Sequence, residues 1–315
     1  MVAESTELST GTGASIEDAP DMDPADVDSA TEELDPTPVA AELVSHSVAR
    51  HYTRIALLST LLDALAAAGK SVSPIDSDDL SPLDELHTGG RPATVELAEL
   101  LAPTSGARVL DLGAGLGGPA RYLARHRGCQ VIGMDLTREH VEVATELTER
   151  SGLADLVSFK EGSVTALPFP DESFDAAVLV HVGMNVPDKA KLCSEAYRVL
   201  RDGGRFAVYD IMRTDEDAAP TYPLPWAGSA ETSFLESPAE YRWLLTEAGF
   251  SVEEGRDLRG LALEQLSKLL ALPEDQLPPL GLHVLLGDTF RVKAANLADA
   301  LRRDLLVPMQ LVAAK

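Results

Sequence analysis

This chain predicts an α/β fold, a doubly wound and mostly parallel sheet, on three observations. Between residues 107 and 211, short apolar runs of strand length alternate with longer segments of helical period. The first unit, Arg108-Val109-Leu110-Asp111-Leu112-Gly113-Ala114-Gly115-Leu116-Gly117-Gly118-Pro119, reads as a buried strand, a glycine-rich turn and the opening of a helix. The third observation is Asp111, a carboxylate at the C-terminal end of that strand and immediately before the glycines.

Apolar positions at Val48, Ile55, Leu58, Leu62 and Leu65 recur at helical spacing, which predicts a helix over 46–69 that ends near Gly69 and packs over the ligand site. Ser71 to Leu86 reads as a polar, proline-containing connection. Pro92 suits a first helical turn and opens a second helix, Ala93 to Leu101. Strands are then expected at 107–112, 129–134, 156–160, 174–180 and 204–211, and helices at 117–126, 138–151 and 188–200. Residues 212–236 break the rhythm with Pro220, Pro223 and Pro225. A helix at 237–248, a strand at 250–256, helical stretches at 258–275 and 290–303 and a strand from Val307 to Ala314 complete a seven-stranded sheet. The domains read as an acidic, disordered tail (1–45), an N-terminal helical cap (46–91), a ligand-binding core (92–212), and a lid insertion with helices and closing strands of the same domain (213–315).

At 315 residues and 45% hydrophobic content, the chain is long enough to bury a full core. It has no apolar run approaching the ~20 residues of a membrane helix. No basic region followed by an apolar one opens the sequence, so a secretory signal is not expected. Cys129 and Cys193 are far apart, lack metal-ligand spacing and read as small core residues, which predicts a reducing, cytoplasmic compartment. The net charge is −25, and residues 1–45 contain no Lys or Arg. A surface without a basic stripe opposes nucleic-acid binding. Arg outnumbers Lys, and both a salty cytoplasm and a high-GC coding bias stay open as reasons.

Gly113, Gly115 and Gly118 satisfy G-x-G-x-x-G, and Asp135 follows about 20 residues later, as a dinucleotide site requires. Asp111 argues against that ligand, because a pyrophosphate at the turn would be repelled by it in a partly desolvated site. A ligand without phosphates and with a cationic amino group would be attracted instead. S-adenosylmethionine has an ammonium, a sulfonium and a ribose diol that Asp135 can hold. Asp111 also reads as a turn or cap carboxylate, and Asp135 as a strand-end residue capping the next helix.

Val109 to Gly117, Val131-Ile132-Gly133-Met134-Asp135, Leu167 to Asp175 and Val199 to Phe206 resemble successive motifs of class I S-adenosylmethionine-dependent methyltransferases, in the right order over about residues 90–212. The chain is most similar to the small-molecule branch with the quinone/tocopherol C-methyltransferases and the sarcosine/dimethylglycine N-methyltransferases. The resemblance implies a Rossmann-like sheet with an antiparallel last strand and S-adenosylmethionine as methyl donor. It also implies a small-molecule acceptor, without nucleic acid or stable membrane insertion.

Ligands of doubly wound sheets sit beyond the carboxyl ends of the strands. That rule selects Asp111, Gly113, Ala114, Gly115 and Gly117 after the first strand, Asp135 and Leu136 after the second, and Gly162, Ser163 and Val164 after the third. Leu136 is placed to pack on adenine. Where Ser163 stands, the family often has an Asp that holds the adenine amino group. His181, after the fourth strand, lies where donor and acceptor should meet and reads as a proton acceptor or as a neutral ring that fixes its loop. Substrate contacts are expected from His87 and Arg91 around Gly89-Gly90, from Met184 and Asn185, and from Tyr222 and Trp226 in the irregular segment. His87 and Arg91 equally read as an ordinary turn with a solvated Arg, Met184 as packing, and the aromatic cluster as core filling that includes Trp243. Methyl transfer from a sulfonium needs alignment and a dry site, and no metal. The acceptor atom, N, O or C, stays open. The rivals are an NAD(P)-dependent oxidoreductase, which would lack a Tyr-x-x-x-Lys pair here, and a non-catalytic binding protein of the same fold.

Overall fold

The structure is a computed structural model that describes residues 56–214 and 219–315; the expected tail and the start of the first helix, with Val48 and Ile55, lie outside the described residues. Seven strands form one sheet: β1 (Arg108–Leu112), β2 (Gln130–Asp135), β3 (Val157–Glu161), β4 (Phe174–Val180), β5 (Leu200–Arg213), β6 (Ser251–Asp257) and β7 (Leu306–Ala314). Their order is β3-β2-β1-β4-β5-β7-β6. The pairs among β1 to β5 are parallel, and β7 runs antiparallel to both β5 and β6. The sheet is the doubly wound one expected, with its last strand reversed.

Alternation along the strands explains why they read as nearly continuous apolar runs, since both faces are covered. Leu110, Leu112, Leu179 and Phe206 face one core, with Leu192, Cys193 and Ala196 of α6 (Lys189–Val199) and Leu245 of α7 (Pro238–Glu247). Val109, Val178 and Ala207 face the other, with Leu97 of α3 (Gly90–Leu101) and Ala120 and Leu123 of α4 (Gly118–Arg127). The helix ends follow local chemistry. α4 stops at Gly128 in the left-handed region, and α7 starts with a full capping box between Ser237 and Glu240.

Two regions differ from the sequence expectation. The helix α1, described over 56–67, buries Leu61 and Leu65 against Leu80, Leu83, Leu116 and, on α5 (Arg138–Arg150), Val143 and Leu147. Its described residues therefore pack beside Leu116 of the glycine turn as well as on α5, and Leu57 reaches a cavity wall near the ligand end. Residues 71–86 are more than a connection: they contain a short helix α2 (Ser81–Asp84) that buries Asp84 and Glu85 at 2% exposure each. The apolar faces of α8 (Arg259–Ala271) and α10 (Phe290–Arg302) close a further cluster with Leu224, Ile211 and Leu306, and the short α9 (Leu282–Leu286) lies before α10.

Asp84 is neutralised by Arg121, whose Nη2 lies 2.7 Å from Asp84 Oδ2 with both side chains essentially unexposed. Arg121 also donates to Thr148 Oγ1 (2.8 Å) and to the Leu116 carbonyl, tying α2, α4 and α5 together. Removing one partner leaves an uncompensated buried charge, so Arg121→Met should cost about 3–5 kcal/mol, read as a lower midpoint in urea unfolding.

Candidate active site

The strand order reverses between β1 and β4, and a cleft of ≈ 580 Å³ opens at their carboxyl ends. Asp111, Gly113, Ala114, Gly115, Asp135, Leu136, Gly162, Ser163, Val164, His181 and Asn185 all line it, with His87 and Trp226. Gly117 does not. It caps α4 at φ 83°, and a Cβ there would lie 2.5 Å from the Phe159 ring, so it is glycine for packing and backbone conformation. Gly113 (φ 81°) is required by a neighbour as well: its Cβ would lie 2.2 Å from Val182 Cγ2.

The first three N–H groups of the turn are already engaged within the protein. Gly113 N and Ala114 N donate to the Met134 carbonyl (2.7 and 2.9 Å), and Gly115 N donates to Asp135 Oδ2 (2.8 Å). These bonds tie the start of the turn to the end of β2. Asp135 Oδ1 also accepts from Thr137 N (2.9 Å), with His140 Nδ1 at 3.5 Å. Burial pushes the Asp135 carboxyl up, but the hydrogen bonds from His140, Thr137 N–H and Gly115 N–H outweigh it and hold the group below the usual range. Oδ2, which accepts only from Gly115 N–H, keeps a lone pair for a further donor. Ser163 forms a local turn with Thr165, accepting from its N–H at 3.2 Å and lying 2.8 Å from its hydroxyl. Leu136 is 75% exposed at the rim, an apolar surface for a flat ring to cover.

Asp111 is the opposite case. It is 1% exposed, its Oδ2 has no hydrogen-bond partner, and its carboxyl is pushed up to about 7, first by burial and then by the charges of Asp135 and Glu85. An acid buried beside acids calls for a donor or a cation from the cleft.

His181 follows β4 in the left-handed region at φ 54°, a conformation that costs a non-glycine residue about 1–3 kcal/mol and concentrates at functional positions. Its N–H donates to the Tyr209 carbonyl (2.7 Å), and its Nε2 lies 3.3 Å from Thr88 Oγ1. Burial, followed by the His87 charge, lowers its pKa well below the usual imidazole value, so the ring is neutral. His87 is buried, with Nδ1 2.9 Å from the Thr88 carbonyl and Nε2 2.7 Å from Glu85 Oε2. Burial alone would raise the Glu85 carboxyl; the hydrogen bond and charge of His87, then Arg91 and Thr94, hold it low.

Several expected substrate contacts are placed elsewhere. Arg91 does not line the cleft: its Nε is 2.9 Å from Glu85 Oε1, and its guanidinium lies 4.9 Å from the Tyr122 ring centroid. Its charge is paired with Glu85 and, at 3.8 Å, with Asp78. Tyr222 packs in the cluster with Leu224 and Leu301 instead of facing a cavity. Met184 is 1% exposed and lies in that cluster, with an edge on an adjoining apolar cavity. Trp243 is 60% exposed on α7, neither core nor site.

Residues the sequence reading passed over complete the site. Asp210, fully buried on β5, accepts from the Tyr241 hydroxyl, and its carboxyl is raised to about 7 by burial against the opposing effects of Tyr241 and Lys189. A Cβ at Gly183 would lie 1.9 Å from Tyr241 Oη, so this pair clamps the turn after His181. Lys189 holds the carbonyls of Val186 (2.9 Å) and Phe234, fastening the irregular segment to the start of α6. Glu85 had a signal, the run Asp84-Glu85-Leu86-His87, in which acid and partner stand two residues apart.

Residues 110–208 match the family described as a methyltransferase domain. Methyltransferase GfsG of Streptomyces halstedii is 35% identical over 182 residues, which are 57% of this chain and 66% of that protein. Erythromycin 3''-O-methyltransferase of Saccharopolyspora erythraea is 34% identical over 179 residues, 54% of this chain and 58% of that enzyme. The chain thus spans less than two thirds of the length of these curated relatives. The solved geranyl diphosphate C-methyltransferase from Streptomyces coelicolor, in complex with Mg²⁺, geranyl diphosphate and S-adenosyl-L-homocysteine, superposes with a TM-score of 0.59 at 18% identity, covering 70% of this chain and 78% of that one. That likeness is one of fold. Residues 110–208 thus carry a methyltransferase domain, and in the order of its motifs the chain is similar to the class I S-adenosylmethionine-dependent methyltransferases.

Because Gly113 is needed for both φ and space, Gly113→Ala should lower stability by about 1–3 kcal/mol. Adding Val182→Ala should return only the steric share, which thermal unfolding of the single and double variants would measure.

Proposed function

We propose that the chain is a methyltransferase that moves a methyl group from S-adenosylmethionine to a small-molecule acceptor by in-line displacement. One observation carries the reading. The cleft wall holds Asp111, Asp135 and Asp188, besides the Asp84 already paired with Arg121, and, among the described residues, no Lys or Arg. Such a wall attracts a cationic ligand and repels phosphate. A pyridine dinucleotide would also find the N–H groups of Gly113, Ala114 and Gly115 already bonded to β2.

The donor, when bound, supplies a methyl already activated by its sulfonium. Asp111 meets positive charge with its unpartnered oxygen, Asp135 holds the ribose hydroxyls, and Leu136 and Val164 border the adenine beside Gly162 and Ser163. His181 stands where the acceptor arrives, and its neutral ring takes a hydrogen bond or a proton from it. With a bound ligand, Trp226 and Leu86 exclude water from that point. A cytoplasmic setting belongs to the same reading: Cys129 and Cys193 are buried free thiols, and among the described residues no helix is long and apolar enough to cross a membrane. The acidic balance of the chain supports an acceptor other than nucleic acid.

Calorimetric titration with S-adenosylmethionine and NAD side by side tests the reading, with binding of the sulfonium compound alone expected; the reverse preference would sink it. Asp111→Asn should weaken the donor about 10- to 100-fold, the share of a buried charge-assisted contact.

Linkage adds a pH dependence. A cation needs the ionised Asp111, so below about 7 binding must first displace its proton. Affinity should therefore fall by up to about tenfold per pH unit as pH drops below that point and level off above it. The same titration in Asp111→Asn should lose this slope.

A further inference from the structure

Two more cavities adjoin the donor cleft, and their chemistry is different. One, of ≈ 90 Å³, lies among α8, α9, α10 and residues 86–89; the other, of ≈ 290 Å³, runs between Leu57, Leu116 and α9. All three cavities meet at Leu86, His181 and Trp226. Away from that junction the two extra walls are almost wholly aliphatic and aromatic, including Leu269, Leu286 and Phe290. Among the described residues they present no Asp, Glu, Lys or Arg, and their polar side chains are those of His87, Thr88, His140, His181 and Gln265. Gln265 is engaged with the Gly89 carbonyl (3.0 Å).

We infer that the methyl acceptor is a neutral, predominantly apolar molecule that presents a hydroxyl to His181 and lays its body along these two cavities. The inference rests on the methyl-donor reading of the adjoining cleft. A phosphate or diphosphate head group would meet the carboxylates of Asp111, Asp135 and Asp188 in that cleft and, among the described residues, no Lys or Arg in the walls of the three cavities. An ammonium would have no carboxylate in the two apolar walls to hold it. A hydroxyl suits what is there, a neutral imidazole beside the Thr88 hydroxyl, with the rest of the acceptor burying apolar surface. The step balances simply. The acceptor oxygen forms its bond to the methyl carbon as the sulfur–methyl bond breaks, the sulfur keeps that electron pair and leaves as a neutral thioether, and the hydroxyl proton passes to the His181 ring.

The test uses the full chain with S-adenosylmethionine bound and Nile red as a neutral apolar probe, displaced in parallel by 1-dodecanol, dodecyl phosphate and dodecylamine. Saturable probe binding is expected, with dodecanol at least tenfold more potent than either charged analogue. Leu286→Glu should lose the probe while its donor affinity stays within twofold. His181→Phe should weaken dodecanol about fivefold, the loss of one neutral hydrogen bond. Equal or better displacement by the phosphate or the amine, or probe binding that Leu286→Glu leaves intact, overturns the inference. Failure to bind S-adenosylmethionine at all sinks instead the reading on which it rests, and calorimetry separates the two.

Discussion

The buried carboxyl of Asp111 governs the ligand end of this sheet. The parallel register sets it beside Gly133 on one side and Val178 on the other, so the flanking strands give it no side-chain donor. Glu85, equally buried, shows what compensation looks like: His87, Arg91 and Thr94 surround it, and its carboxyl is held low. Asp111 has neighbours of its own sign, an orphaned oxygen and a carboxyl raised to about 7. Two acids of similar depth thus part ways, one as scaffold and one as an unmet demand for positive charge. A site built on such a demand gains its ligand's charge as a stabilising term, and it discriminates by sign before any shape is consulted.

The rest of the ligand end is arranged to hold that chemistry still. The glycine turn bonds the N–H groups of Gly113, Ala114 and Gly115 to β2, Gly113 lets Val182 pack directly on the turn, and Asp210 with Tyr241 clamps Gly183. Between these fixed points His181 is kept in a backbone conformation it would not choose alone. Lys189 extends the clamp to the segment carrying Trp226 through the Phe234 carbonyl. Rigid surroundings of this kind suit a displacement in which alignment supplies most of the acceleration.

The core and the cleft at the strand ends were legible because they follow from local pattern. Strand-length apolar runs, helical periods and the strand-end rule placed Asp111, Asp135, Leu136, Ser163 and His181 around one cleft before any coordinates. Gly117 was misjudged because glycine spacing does not tell a ligand approach from a ring approach, and here the ring is Phe159. Arg91 was misjudged because its partner Glu85 sits in a stretch with no periodic signal, where a helix of four residues does the burying. Tyr222 and Trp226 stand four residues apart in one irregular segment, and nothing local says which ring turns to the cleft and which to the core.

By itself the sequence determined the element order, the doubly wound sheet, the position of the crevice and the sign of charge at its floor. Each of these depends on residues within a turn or a strand of one another, or on a topological rule that holds for any such sheet. Only the tertiary structure decided that Leu57, Leu86, Trp226 and Leu286 border one apolar space beside His181. An apolar face looks the same in sequence whether it meets another face or leaves room for a guest. The difference lies in packing between segments far apart along the chain, which local periodicity does not encode.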